Sequence, residues 1–170
     1  MSLNDVIKII IEAIINALKS KPTPAPAPTP TPLPSDFVTQ LFQLHNNHRQ
    51  KLGLSILTLN QALNNAAHKH SNWMFQNKKL SHFQGSVGPG DRIRAEGYKW
   101  ASYGENIASG YATPQAVFQG WLNSSGHRAN IENPRSKDVG FGFVGKYWTA
   151  DFASKFGEPA MGLPGGIQGE

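Results

Sequence analysis

The chain has 170 residues, with 16 Lys and Arg against 11 Asp and Glu for a net charge of +5, and it has no cysteine. That length holds one core of about 100 to 150 residues plus appendages, and 39% apolar residues with four Trp and nine Phe are enough to pack it. The lack of cysteine excludes a disulfide framework and any thiolate metal site. A basic balance favours acidic partners such as an envelope glycan or lipid through non-specific electrostatics. Lys78, Lys79, Arg92, Arg94 and Lys99 are spread without a nucleic-acid motif and read as a solvated face, so no specific nucleic-acid partner is expected.

Residues 4–19, NDVIKIIIEAIINALK, predict a helix with one narrow polar stripe of Asp5, Lys8, Glu12, Asn16 and Lys19. Val6, Ile7, Ile9, Ile10, Ile11, Ile14, Ile15 and Leu18 fill the rest, so such a helix must bury most of its surface. Lys8 and Glu12 interrupt the apolar run, and neither a basic leader nor a small-residue cleavage site is recognisable, which argues against a secretory signal. The run also falls short of the ~20 apolar residues a bilayer span requires. Residues 1–20 are therefore expected to act as a self-associating stem or as a peg docking into another protein, with a membrane-surface helix as a third alternative. Residues 21–34 carry seven prolines at alternate positions. Proline blocks helix and central strand, which predicts an extended polyproline II linker reaching ~40 Å at ~3.1 Å per residue, either a loose tether or a semi-rigid stalk.

A domain is expected over residues 35–156. Ser35 can cap a helix running to about Lys51, with Phe37, Leu41, Leu44 and His48 near one face, and His45 and His48 read as packing or hydrogen-bonding residues. A second helix follows Asn60, with Leu63, Ala66, Ala67, His70 and Met74 at helical spacing, His70 at the core edge and His68 exposed. Gly85, Gly88, Pro89 and Gly90 mark a loop, followed by a short helical segment closed by Gly97. The stretch from Tyr103 to Ile107 reads as a strand edge or loop aiming Glu105 inward. Thr113 and Pro114 are a cap and first-turn proline for a helix that sends Val117, Phe118 and Trp121 inward. Segments 139–144 and 147–152 predict a hairpin across Gly145 and Lys146. Residues 157–170 are Gly/Pro-rich and predict no regular structure.

His82, Glu105 and His127 can bind a metal or move a proton, and they lie too far apart for one helix or hairpin to join them, so only a tertiary fold can bring them together. Around them, SH before a Gly-rich loop, then GY, GENI, TP, a helix ending in Trp, SSGHRANI and GFGF resemble, in that order, the bacterial branch of the CAP family of cysteine-rich secretory, venom antigen 5 and pathogenesis-related proteins. The resemblance runs from Phe37 to Phe152. It implies an α+β fold, an α-β-α sandwich with a central cleft lined by two His and two acidic residues. The two His fall on His82 and His127 and one acid on Glu105; the second acidic position, three residues after the helix Trp, falls on Ser124. That departure leaves a three-residue set, and a four-ligand zinc site is not implied. Animal and plant members are disulfide-stapled, so the absence of Cys points to a bacterial or viral source.

His82, His127 and Glu105 are suitable ligands for a divalent metal such as zinc, with open positions for water. Alternatively a His and Glu105 could act as general base and partner. No GxSxG, HExxH or phosphate-cradling motif appears, and Ser124 or Ser125 beside His127 makes no credible nucleophile pair. The resemblance implies a secreted or surface-displayed binding module, and with the proline stalk and the N-terminal helix lacking a recognisable signal the expectation is a module held on a stem outside a particle or cell, such as a phage decoration or fibre touching a host envelope. It is expected to be a homo-oligomer or to dock through residues 4–19. The alternatives are a metal-dependent cell-wall hydrolase or protease working in the His82/Glu105/His127 cleft, and a structural spacer with a relict cleft.

Overall fold

The computed structural model describes residues 36–157. The apolar segment with its expected anchoring residues Val6 to Leu18, the proline linker, the Ser35 cap and the tail beyond Gly157 lie outside the described residues. In chain order come α1 (Asp36–Lys51), β1 (Thr58–Leu59), α2 (Gln61–Asn77), α3 (Pro89–Ala95), β2 (Trp100–Ser109), α4 (Pro114–Asn123), α5 (Ser125–Ile131), β3 (Asp138–Val144) and β4 (Tyr147–Lys155). The strands form one sheet in the order β1-β3-β4-β2, with β1 parallel to β3 and the other pairs antiparallel. This is the α+β sandwich anticipated from the sequence. No helix among the described residues is long and apolar enough to cross a membrane.

Local signals set most element ends. The Asn60 side chain accepts hydrogen bonds from the Ala62 and Leu63 amides, and Thr113 Oγ1 accepts from the Ala116 amide ahead of Pro114. These caps satisfy helix-start donors that otherwise have no partner. Gly145 (φ 52°) and Lys146 (φ 70°) form the two-residue turn between β3 and β4, both residues in the left-handed region that matches strand twist.

Alternation along β4 divides the interior. Trp148, Ala150 and Phe152 meet Val139 and Phe141 of β3 and pack under Val38 and Leu41 of α1, Val117, Phe118 and Trp121 of α4, and Ile131 of α5. The other face is covered by α2 and α3, where Leu63, Ala66, Ile93 and Tyr98 gather with Ala153. There α2 lies hard against β3. A Cβ on Gly140 would come within 2.2 Å of the Leu63 and Asn64 backbone, and one on Gly142 within 2.2 Å of the Ala67 carbonyl oxygen. Two side-chain-free positions on one strand face thus set the helix-to-sheet distance.

On α1 the buried face is Val38, Leu41, His45, Asn46 and Arg49 rather than the face through Leu44 and His48. His48 instead reaches Glu132 at 2.9 Å. Arg49 is fully buried without a carboxylate and donates to the carbonyls of Ser55, Ile131 and Asn133 at 2.7 to 2.9 Å, tying α1 to the end of α5. His45 donates Nδ1–H to the Leu41 carbonyl at 2.7 Å, and its Nε2, without a hydrogen-bond partner among the described residues, sits among Phe118, Trp121, Phe141 and Phe152.

Burial pushes the His45 pKa down to about 3, from 6.5 when solvated. Below pH 6.5 the unfolded chain therefore binds a proton that the folded chain refuses, so stability falls as pH drops through the window from 6.5 to 3 and levels off below it. At pH 5 this one group removes about 2 kcal/mol, at 1.36 kcal/mol per pH unit. Denaturant unfolding between pH 7 and 4 will show that loss, and His45→Phe will flatten the slope. In the same assay at pH 7, Gly142→Ala will cost about 3 kcal/mol, the upper end of overpacking penalties, because the obstruction is helix backbone.

Candidate functional site

Glu105 sits in the middle of β2, directly opposite Asp151 of β4, on the sheet face that α2 covers. Its side chain is 2% exposed. Oε1 accepts Nδ1–H of His82 at 2.7 Å, and Oε2 accepts an Nη2–H of Arg92 at 2.5 Å. Arg92 also donates through Nη1 to the carbonyls of His82 (2.8 Å) and Val87 (3.4 Å), so one guanidinium from α3 holds both the carboxylate and the loop that delivers His82. His70 of α2 places Nε2 4.0 Å from Oε1.

Burial works against a charge on Glu105, but the His82 hydrogen bond and the Arg92 charge together hold its pKa below the usual carboxylate range. Asp151 behaves oppositely. It is fully buried, neither of its oxygens has a hydrogen-bond donor among the described residues, and burial followed by the neighbouring Glu105 charge pushes its pKa well up. The pair therefore keeps its proton on Asp151 and its charge on Glu105, as expected where two carboxyls meet in an apolar setting and only one can ionise.

The three histidines nearby are distinct. His70 donates Nε2–H to the Ser81 carbonyl and receives the Gln84 amide on Nδ1, both at 2.9 Å, and burial lowers its pKa to about 4, so it stays neutral. His82 is 43% exposed and directs Nδ1 at Glu105, leaving Nε2 without a partner among the described residues. His127 on α5 is half-buried, and its pKa is lowered first by burial and then by the nearby His82. The backbone of His127 is held from β2: Asn106 donates to its carbonyl at 2.9 Å, while Asn130 donates to Asn106 Oδ1 at 2.8 Å and to the Glu105 carbonyl at 3.2 Å. Asn130 has room because residue 104 is glycine; a Cβ there would lie 2.7 Å from Asn130 Oδ1.

The fold joins His82 to Glu105 by a hydrogen bond and ties the His127 backbone to Asn106, the next residue of β2. Ser124 is the residue between α4 and α5, and among the described residues its hydroxyl makes no hydrogen bond to these groups. Arg92, expected on a solvated face, is buried against Glu105, because a carboxylate taken out of water needs a cation beside it. His70, placed at the core edge, and Asp151 complete the cluster. Three-ligand metal binding by His82, Glu105 and His127 does not fit this arrangement. Both Glu105 oxygens are engaged, the guanidinium puts fixed positive charge beside the carboxylate, and among the described residues no group of three or more His, Asp or Glu is placed to hold a metal ion. Gln84 and Arg92 also form part of the wall of a cavity of about 400 Å³ between α2 and α3, with Trp73 across from them.

With this geometry, the family model described as "CAP: Cysteine-rich secretory protein family" matches residues 42–152. The chain belongs to the cysteine-rich secretory protein (CAP) family. Its CAP domain is similar to YkwD of Bacillus subtilis (strain 168), 36% identical over 71% of this chain and 48% of the relative, and to the membrane protein YlbC of the same organism, 35% identical over 69% and 34%. The chain spans half or less of the length of these curated relatives. Among solved structures it is similar to an extracellular SCP-domain protein of Bacillus anthracis (TM-score 0.68, 34% identity, 74% of this chain and 45% of the other). An outer surface protein of Borrelia burgdorferi shares the CAP fold (TM-score 0.67, 21% identity, 71% and 94%).

In this CAP domain Arg92→Ala will lower stability by about 3 kcal/mol, since it strands an ionised buried carboxylate. Adding Glu105→Gln will restore part of the loss. Asp151→Asn, a match in shape for the neutral acid, will change unfolding by less than about 1 kcal/mol. Equilibrium unfolding at pH 7 measures all three.

Proposed function

We propose that the chain is an extracellular binding module of the CAP family, presented at a cell or particle surface, whose His82/His127 opening receives a ligand rather than carrying out hydrolysis. The observation that carries this reading is that both Glu105 oxygens are already bonded, to His82 and Arg92, with neutral Asp151 behind them. A carboxylate so occupied is a structural anchor for the opening. No serine is hydrogen-bonded to His82 or His127 among the described residues, so no activated nucleophile supports acyl transfer. The similar Bacillus anthracis protein is described as extracellular, which supports the surface location. On this reading residues 4–19 supply self-association or docking, and the proline segment supplies reach.

Labelled full chain will bind intact bacterial cells saturably, and His82→Ala with His127→Ala will weaken that binding about tenfold without releasing less wall material. A second reading keeps a hydrolase in view, because His82 is oriented by Glu105 through Nδ1 with Nε2 free, the arrangement of a general base. It expects soluble peptide or sugar from purified walls, lost in His82→Ala while circular dichroism stays unchanged. Release by the wild type that vanishes in that variant replaces the binding reading by the enzymatic one.

A further inference from the structure

At the end of the sheet where β2 begins and β4 ends, two hollows lie either side of Phe156. One, about 310 Å³, is lined by Ser102, Arg135, Lys137, Ser154 and Lys155; the other, about 390 Å³, by Arg94, Lys99 and Trp100. Phe156 belongs to both and is 75% exposed. Every charged side chain lining them is positive. Among the described residues none of these five cations has a carboxylate partner, whereas Lys69 elsewhere on the surface is paired with Glu96. Arg94 lies over the Trp100 ring at 4.1 Å and Lys155 over Tyr98 at 5.4 Å, so these two cations rest on aromatic faces that leave their charge uncompensated. Asp138, next to Lys137, is buried and accepts the Tyr98 hydroxyl at 2.7 Å, facing neither hollow. The β2 edge strand is bulged between Trp100 and Ser102, which breaks the regular alternation at the rim.

We propose that this double hollow binds a flexible polyol phosphate chain, an anionic polymer of the cell envelope. This deepens the binding-module reading and rests on it. Charge complementarity selects the anion, and arginine and lysine both suit phosphate oxygens. Each hollow is of the size that takes a small repeat unit rather than a protein domain. Phe156, standing between them, gives the carbon backbone an apolar contact while successive phosphates meet Arg135, Lys137 and Lys155 on one side and Arg94 and Lys99 on the other. A single exposed aromatic side chain is too little apolar surface for a lipid bilayer. Trp100 is covered by Arg94 and packed edge-on by Tyr103 at 4.5 Å, so it gives nucleobases no open stacking platform.

The test is fluorescence anisotropy of end-labelled poly(glycerol phosphate) with the full chain at physiological salt. Lys137→Glu with Lys155→Glu will weaken binding about tenfold, as expected when rim charges turn repulsive, and Phe156→Ala about threefold. Lys78→Glu with Lys79→Glu, the same change in net charge outside the hollows, will leave binding within about twofold. Equal loss in both double variants means that net charge alone attracts the polymer and overturns the proposal. So does single-stranded DNA of matched charge binding equally well with the same variant sensitivity. Thermal unfolding of each variant verifies that the fold is intact. If the full chain binds cells equally well after the Lys137/Lys155 change and after removal of the polymer, this inference falls and the binding-module reading stands. Polymer binding in solution without any binding to cells has the opposite meaning: the hollows keep their ligand, and the reading as a cell-binding module falls.

Discussion

One ionised carboxylate, taken out of water in the middle of β2, dictates how the rest of this domain is put together. An isolated charge in that position costs several kcal/mol, and the neighbouring groups offset it only if they are held in place. Arg92 does so from α3, His82 from the preceding loop, and Asp151 by keeping its proton. The same guanidinium secures the carbonyls of His82 and Val87, so the loop is positioned by the group that neutralises the charge. The half-exposed ring of His82 is the solvent-facing edge of this arrangement. On the far side Asn106 and Asn130 fix the His127 backbone to β2 by amide hydrogen bonds alone.

What was legible in the sequence was what is decided locally. Asn60, the Thr113–Pro114 pair and the Gly145–Lys146 turn each act through a few neighbouring residues, and each ends an element where expected. The words GENI and HRANI could be recognised, and the structure supplies their physical content: space at Gly104, charge at Glu105, and a pair of amides that cross from strand to helix. Arg92, His70 and Asp151 were not legible, because their roles depend on pairings between distant segments. One signal was present for Asp151. A carboxylate between Ala150 and Phe152 shares its strand face with Thr149 and Ala153, and if that face is covered it must find a partner or keep its proton. Counting from Trp121 to Ser124 fixes a place along the chain, and there the chain turns from one helix into the next.

Histidine makes the same lesson concrete. His45 and His48 stand one helical turn apart, yet one is sealed among aromatic rings and the other reaches the surface carboxylate of Glu132. His70 and His82 both approach Glu105, but the first is kept neutral by burial, with Ser81 and Gln84 fixing its tautomer, and the second meets solvent. Residue type announces only that a proton can be held; the dielectric and the partners on each ring nitrogen decide whether it is.

The close seating of α2 on Gly140 and Gly142 has a mechanical meaning. Where backbone rests on backbone no rotamer can give way, so the helix and the two central strands behave as a stiff plate. Widening of the cavity between α2 and α3 must then come from the α3 side, which Ile93 holds in the core and the Arg92–Glu105 and Trp100–Gly90 hydrogen bonds tie to the edge strand β2.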